Sequence, residues 1–294
     1  MKKQSQAYIF ALTATLLWST VATAFKIALN GMDYLHLLSI SSATATILFA
    51  TLLIFNGELK AIWSTPKSAV LQSALLGFLN PFLYYLILFK AYSLLSAQLA
   101  LSLNYIWPIT LVLLSIPILK QKIGLKSIAC ILLSFIGVIV IANKGSFTNI
   151  QSPNTWGIIL ALGSSIVWSL FWIFNTKDQR KPTHKLFLNF VFGLIFSLIT
   201  LAFFGKINLP DSNSITAAIY IGLIECGIAY IFWLKAMKLT SSMDKIGNLV
   251  FLSPFISLFL LHLIIGESIY LSTWVGLTII IIGILLQKIT SKKQ

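Results

Sequence analysis

Few side chains in this sequence can move a proton, hold a metal or pair with a charged molecule. Among 294 residues there are seven acids and three histidines, and Glu225 lies about halfway along a long apolar run. An ionised carboxylate in hydrocarbon costs roughly 2.5 to 3.5 kcal/mol on insertion scales, so Glu225 calls for a partner or a proton. Lys235 lies ten residues further along the same run, about 15 Å along a helix axis, too far for direct pairing. A proton or the cationic group of a substrate is therefore the natural counter-charge. The alternative is a neutral glutamic acid hydrogen-bonded to a neighbouring helix.

Other polar and aromatic residues fall at corresponding points of apolar runs. Asn80 matches Glu225 in position, with Pro81 beside the one and Cys226-Gly227 beside the other. On a helix Asn80 and Tyr84, four apart, would share a face and line a cavity with an amide and a phenol. Tyr85 and Tyr230 would do the same from equivalent places. Pro108 withdraws a donor from the carbonyl of Asn104, and Pro254 does so to Val250. In lipid a freed carbonyl must find protein or water, which marks kinked helices near a cavity, with Asn104, Trp107 and Asn248 close by. Trp18-Ser19 and Trp168-Ser169 recur in separate runs, and Trp172 shares a face with Trp168. Such aromatic faces suit flat apolar or cationic molecules, although Trp also packs or faces lipid without any ligand.

Several chemistries find no support. His36, His184 and His262 are scattered, and no HExxH, CxxC or paired-carboxylate arrangement exists, so neither a metal nor another cofactor is expected. Gly-rich phosphate loops are missing, which argues against ATP as the energy source. Cys130 and Cys226 sit inside apolar runs as small packing residues. A membrane-embedded enzyme would need a cluster of acids, histidines or a nucleophile with its base, and acids this dispersed cannot supply one. Asp244-Lys245 reads as a helix-start acid with a snorkelling lysine, and Glu267 as a cap for the last helix.

What must position these residues is a membrane bundle. The chain is 58% apolar and 10% charged, against about a quarter charged in soluble domains. Its net charge of +14 would suggest nucleic acid in a soluble protein, but these charges sit between apolar runs, so no nucleic-acid partner is expected. Ten spanning runs are expected, near 7–29, 34–55, 68–91, 96–118, 124–142, 155–176, 184–204, 214–237, 241–264 and 272–289. The fold class is thus an all-α membrane protein of ten transmembrane helices. The first run resembles a signal peptide in its leading lysines and Ala22-Thr23-Ala24, but its length and its recurring Trp-Ser favour a retained helix. With both termini on one side, 17 basic residues fall there and four, Lys26, Lys90, Lys144 and Lys206, on the other. That bias places both termini in the cytoplasm, with the positive surface against anionic lipid. Arg180 is the only arginine, which resembles the codon bias of an AT-rich bacterial genome and suits the inner membrane.

The chain also resembles itself. Gly77, Tyr85 and Lys90-Ala91 recur as Gly222, Tyr230 and Lys235-Ala236 at an offset of 145, while Pro108/Pro254 and Gly137/Gly283 recur at 146 and Trp18-Ser19/Trp168-Ser169 at 150. The repeat divides the chain into residues 1–145 and 146–294. Five helices in each half would insert in opposite directions, an arrangement frequent in secondary transporters with a midplane site.

These features resemble the drug/metabolite transporter superfamily, specifically transporters with two EamA domains. Leu16-Leu17-Trp18-Ser19-Thr20 and Leu103-Asn104-Tyr105-Ile106-Trp107-Pro108 are similar to its aromatic amino acid exporter branch. Lys120-Gln121 departs from the Gly266-Glu267 of the second half, and helix 8 follows the general EamA pattern rather than that branch. The resemblance implies a central path enclosed by helices 1, 3, 4, 6, 8 and 9, with helices 5 and 10 peripheral. It implies export of a small metabolite, amino acids foremost; the inverted halves suggest alternating access, and the buried Glu225 is a candidate for coupling to protons in a bacterial inner membrane. A drug or other metabolite carrier of the same fold is the alternative, ahead of a channel.

Overall fold

A computed structural model describes residues 3–120, 123–142, 154–205, 210–266, 268 and 270–291. The chain opens with α1 (Lys3–Trp18) and α2 (Val21–Gly31), which continue one another across a turn at Ser19-Thr20. Asp33 starts α3 (Tyr34–Phe55) by accepting from the N–H groups of Leu35 and His36 at 2.7 and 3.2 Å, satisfying donors the helix itself leaves open. After the short α4 (Leu59–Trp63), α5 (Lys67–Gly77) and α6 (Tyr84–Leu94) are joined by a π-helical stretch, Phe78–Leu83. Ser96 caps α7 (Ala97–Asn104), which is followed by α8 (Trp107–Leu119) and α9 (Leu125–Ala142).

The second half begins with α10 (Thr155–Lys177), capped by Asn154, and α11 (Pro182–Phe204), whose proline occupies a first-turn position where no N–H is needed. Asp211 caps α12 (Ser212–Leu223), which a π-helical stretch at Ile224–Ile228 joins to α13 (Ala229–Leu239). Then come α14 (Met243–Gly247), a 3-10 turn at Asn248–Phe251 and α15 (Leu252–Leu260). A further π-helical stretch, Leu261–Ile265, ends at Gly266 with φ 79°, a left-handed position that glycine adopts without penalty. The last element is α16 (Leu271–Ser291).

Among the described residues there is no strand. Among the described residues seven helical rods are long and apolar enough to cross a membrane: Lys3–Gly31, Tyr34–Phe55, Lys67–Leu94, Thr155–Lys177, Pro182–Phe204, Ser212–Leu239 and Lys245–Ile265. The other three expected segments hold shorter apolar helices, Trp107–Leu119, Leu125–Gly137 and Trp274–Gly283. Polarity is arranged for a lipid solvent: Ile47, Phe203 and Leu271 are 66%, 78% and 80% exposed, while Asn80, Asn175, Asn189 and Glu225 are buried.

Two expectations of regular helix are corrected. The first rod is broken at Ser19-Thr20, and the freed carbonyl of Ser19 accepts from Ser257 Oγ at 2.7 Å. Asn80 is not helical: its backbone is extended (φ −155°, ψ 124°), because the ring of Pro81 disfavours helical geometry in the residue before it. The four-residue spacing of Asn80 and Tyr84 therefore does not put them on one helical face.

The repeated glycines mark close helix crossings. A Cβ on Gly77 would lie 2.3 Å from the carbonyl of Asn189 on α11, and one on Gly222 would lie 2.5 Å from Thr44 Cβ on α3. Gly137 and Gly283 do the same between α9 and α16, which pack along each other. The pairs α1·α13, α2·α12, α3·α11 and α6·α10 all join a helix of the first half to one of the second, so the buried interior is the seam between halves.

Candidate functional site

Where these rods meet, four indoles pack together. Trp18 lies 5.3 to 6.1 Å, ring centre to ring centre, from Trp107, Trp168 and Trp233. Trp107 and Trp168 are 6.0 Å apart, and most of these contacts are edge-to-face, the arrangement that ring quadrupoles favour. Tyr84 lies against Trp168 at 4.4 Å. On one side of this cluster is a cavity of about 30 Å3, lined by Trp18, Val21, Phe25, Tyr84, Leu88, Tyr92, Leu101, Asn104, Tyr105, Trp107, Trp168 and Glu225. Its lining runs from Trp18 to Phe25 along α1 and α2 and from Tyr84 to Tyr92 along α6, toward Lys26. Trp172 and Trp233, both 0% exposed and outside this lining, pack against Trp168 and Trp18.

The helix interruptions put polar groups on this wall. Glu225, 4% exposed, sits in the π-helical stretch between α12 and α13. Tyr85 donates its hydroxyl to Glu225 Oε1 at 2.9 Å. The hydroxyls of Tyr85 and Tyr230 are 2.9 Å apart, and Asn80 Nδ2 donates to Tyr230 at 3.0 Å. One consistent orientation runs from Asn80 through Tyr230 and Tyr85 to the carboxylate, each group donating toward the acid. Glu225 Oε2 is buried and has no hydrogen-bond partner among the described residues. Among the described residues, Tyr84, Tyr85, Tyr105, Tyr230 and Cys226 are titratable groups that feel its charge.

The expected residues divide into five groups. Trp18, Tyr84, Asn104, Trp107, Trp168 and Glu225 line the cavity, while Asn80, Tyr85 and Tyr230 form the chain behind the acid. Asn104 is held by Ser164 Oγ at 2.8 Å. Ser19 bonds back to the carbonyl of Thr15 at 2.7 Å and is not in the cavity wall. The side chains of Asn248 and Asp244, and all of Glu267, lie outside the described residues. Pro108 and Pro254 stand in the first turns of α8 and α15, just past the break at Tyr105-Ile106 and the 3-10 turn. The residues left unanticipated are apolar or aromatic: Val21, Phe25, Leu88, Tyr92, Leu101 and Tyr105. Tyr105 adjoins Asn104, a usable signal; the aliphatic ones look like any core position.

At the other end of the bundle Arg180 grips both carboxylate oxygens of Asp178 and donates to Ser73 Oγ at 2.8 Å. Burial alone would raise the pKa of Asp178, but the hydrogen bonds and charge of Arg180, with Lys185, hold it below the usual 3.8. The buried Lys185 donates to the carbonyls of Asn175 and Asp178, satisfying the C-terminus of α10. Lys181 and Glu58 form a further ion pair there at 2.5 Å. Among the described residues no group of three His, Cys, Asp or Glu side chains could hold a metal.

The profile of the EamA-like transporter family matches twice, over residues 5–143 and 155–287. The chain belongs to the EamA-like transporter family. It is similar to an uncharacterized transporter of Clostridium kluyveri, 32% identical over 60% of this chain and 58% of that protein. Over nearly full length it is 24% identical to the uncharacterized transporter YxxF of Bacillus subtilis, covering 97% of this chain and 90% of that one. A protein known from its crystal structure, 20% identical, superimposes with a TM-score of 0.81 over 98% of both chains. Family and relatives make this chain a multi-pass membrane transporter built of two EamA repeats.

Proposed function

We propose that this transporter is a secondary carrier of small amine-bearing metabolites, acting by alternating access between two inverted five-helix halves, residues 1–145 and 146–294. Glu225 carries the reading: a buried carboxylate whose Oε1 is held by Tyr85 while Oε2 stands unpartnered at a cavity between the halves. An ammonium group and a proton would compete for that one free oxygen, so binding one displaces the other, which is the requirement for exchange. The distribution of lysines supports ten crossings with both termini in the cytoplasm of a bacterium and the protein in its inner membrane. The cavity then faces outward, and the resemblance to exporters favours export. Amino acids, aromatic ones foremost, are the first class to test; the indole walls also favour a second reading, a carrier of aromatic drugs.

The test is uptake into proteoliposomes of the full chain. Wild type should move labelled amino acid or amine faster with an imposed pH gradient, and Glu225→Gln should lose that dependence. Unchanged gradient dependence in the variant refutes the coupling role. Saturable counterflow separates a carrier from a channel, since an open pore does not exchange labelled for unlabelled substrate.

A further inference from the structure

Among the described residues the cavity wall holds one formal charge, and that charge is negative. Of its twelve lining residues Glu225 is the only acid, and none is Lys, Arg or His. Lys26, one residue beyond Phe25, donates to the carbonyls of Tyr92 and Leu95 at 2.9 Å each and is not part of the wall. Lys235 lies over the ring of Phe10 at 5.6 Å, outside the lining. What remains for a second polar group is a set of neutral donors: the Nε1 atoms of Trp18 and Trp168 are buried without partners. Indole N–H groups satisfy a carbonyl, ester or hydroxyl oxygen, but they bring no charge to offset a carboxylate taken out of water.

We infer that the site selects aromatic monocations, molecules whose single formal charge is an ammonium and whose other polar group is an uncharged acceptor, over zwitterionic amino acids. The ammonium meets Glu225 Oε2, the ring lies among Trp18, Trp107, Trp168 and Tyr84, and the faces of those rings add cation–π attraction. The decarboxylated amine or the carboxamide of an aromatic amino acid fits this pattern; the parent amino acid adds a carboxylate with no cation to meet it. This inference rests on the reading of the cavity as the substrate site.

The test measures saturable binding of radiolabelled phenethylamine to the purified full chain, competed by unlabelled phenethylamine, phenylalaninamide and phenylalanine. The amine and the amide should compete at concentrations roughly tenfold or more below phenylalanine. In Glu225→Gln that preference should collapse toward equality. Phenylalanine competing as well as the amine in wild type overturns the inference, and so does a failure of phenethylamine to bind. Counterflow of labelled phenylalanine and phenethylamine into proteoliposomes, measured in parallel, keeps the two readings apart. Counterflow of phenylalanine with no preference for the amine sinks the charge selectivity and leaves the carrier standing. Counterflow of neither sinks the assignment of this cavity as a transport site for amine-bearing metabolites.

Discussion

Replacing Tyr85 by Phe removes one oxygen atom and interrupts the chain that leads to Glu225. In wild type that hydroxyl donates to Glu225 Oε1 at 2.9 Å and touches the hydroxyl of Tyr230 at 2.9 Å. Tyr230 keeps Asn80 as a partner in the variant, but Oε1 is left buried with none. A hydrogen bond to a charged group is worth about 1.5 to 3 kcal/mol and one between neutral groups about 0.5 to 1.5. If Glu225 is ionised in the resting protein, Tyr85→Phe should cost the larger amount; in a Glu225→Gln background, where the partner is an amide, it should cost the smaller. At roughly 2 to 4 °C per kcal/mol for a chain of 150 to 250 residues, the single variant should melt about 3 to 12 °C below wild type. The assay is thermal unfolding of four purified proteins, wild type, both single variants and the double, followed by circular dichroism in one detergent at neutral pH. The two changes should be non-additive by about 1 kcal/mol or more. Strict additivity would refute the coupling of this phenol to a charged carboxylate, and with it the view that the acid is held ready for a cation.

Two further perturbations probe the frame around the site. Gly222→Leu should destabilise the protein by about 1 to 3 kcal/mol or prevent its accumulation, because a Cβ there would lie 2.5 Å from Thr44 Cβ and 2.6 Å from the carbonyl of Ser41. Gly163→Ala, which meets nothing within 4 Å, should melt at or above the wild-type temperature; equal losses in both variants would refute the close-crossing explanation. Asp178→Asn should lower thermal stability at neutral pH, since it removes the carboxylate gripped by Arg180. The folded-state pKa of Asp178 lies below the usual 3.8, so its contribution is complete above that value and is lost as pH falls through the folded one. Melting curves of variant and wild type should begin to approach each other below about pH 4 and meet once pH is below the folded-state pKa, and a gap that persists there would contradict the ion-pair account.

Much of the frame was legible because lipid imposes a simple rule: runs of apolar residues of spanning length, and lysines between them. Glu225 stood out for the same reason, as an acid where hydrocarbon does not tolerate one. The breaks were harder to see. Nothing in Leu17-Trp18-Ser19-Thr20-Val21 signals an interruption, because the group that stabilises it, Ser257, lies 238 residues away. At Asn80 the signal was present in Pro81, but reading four-residue spacing as a helical face ignored what proline does to its predecessor. The partner of Glu225 was equally hidden, since Tyr85 is 140 residues distant in sequence. The repeat did pair Tyr85 with Tyr230, and these two hydroxyls meet. The aliphatic wall of Val21, Leu88 and Leu101 could not be singled out in a chain that is 58% apolar.

The interruptions also bear on how anything could enter. A cavity of about 30 Å3 has room for a water or two, whereas ligand pockets commonly measure some 300 to 1,000 Å3. An aromatic amine can therefore bind only if the indole walls separate. Trp18 stands next to the break at Ser19-Thr20 and Trp107 next to the one at Tyr105-Ile106, so each wall ends at a place where the helix no longer holds its neighbour by a continuous ladder. Trp168 is different: it sits within the unbroken α10 and Ser169 Oγ bonds to the carbonyl of Trp107 at 3.1 Å. That bond ties the backbone of Trp107 to α10, so the wall best placed to turn is that of Trp18, against the unbroken face of α10. Closing the broken helices around a bound ring would restore the edge-to-face contacts that an empty, opened cavity forfeits, and that difference between states is what a carrier needs if substrate is to drive its motion.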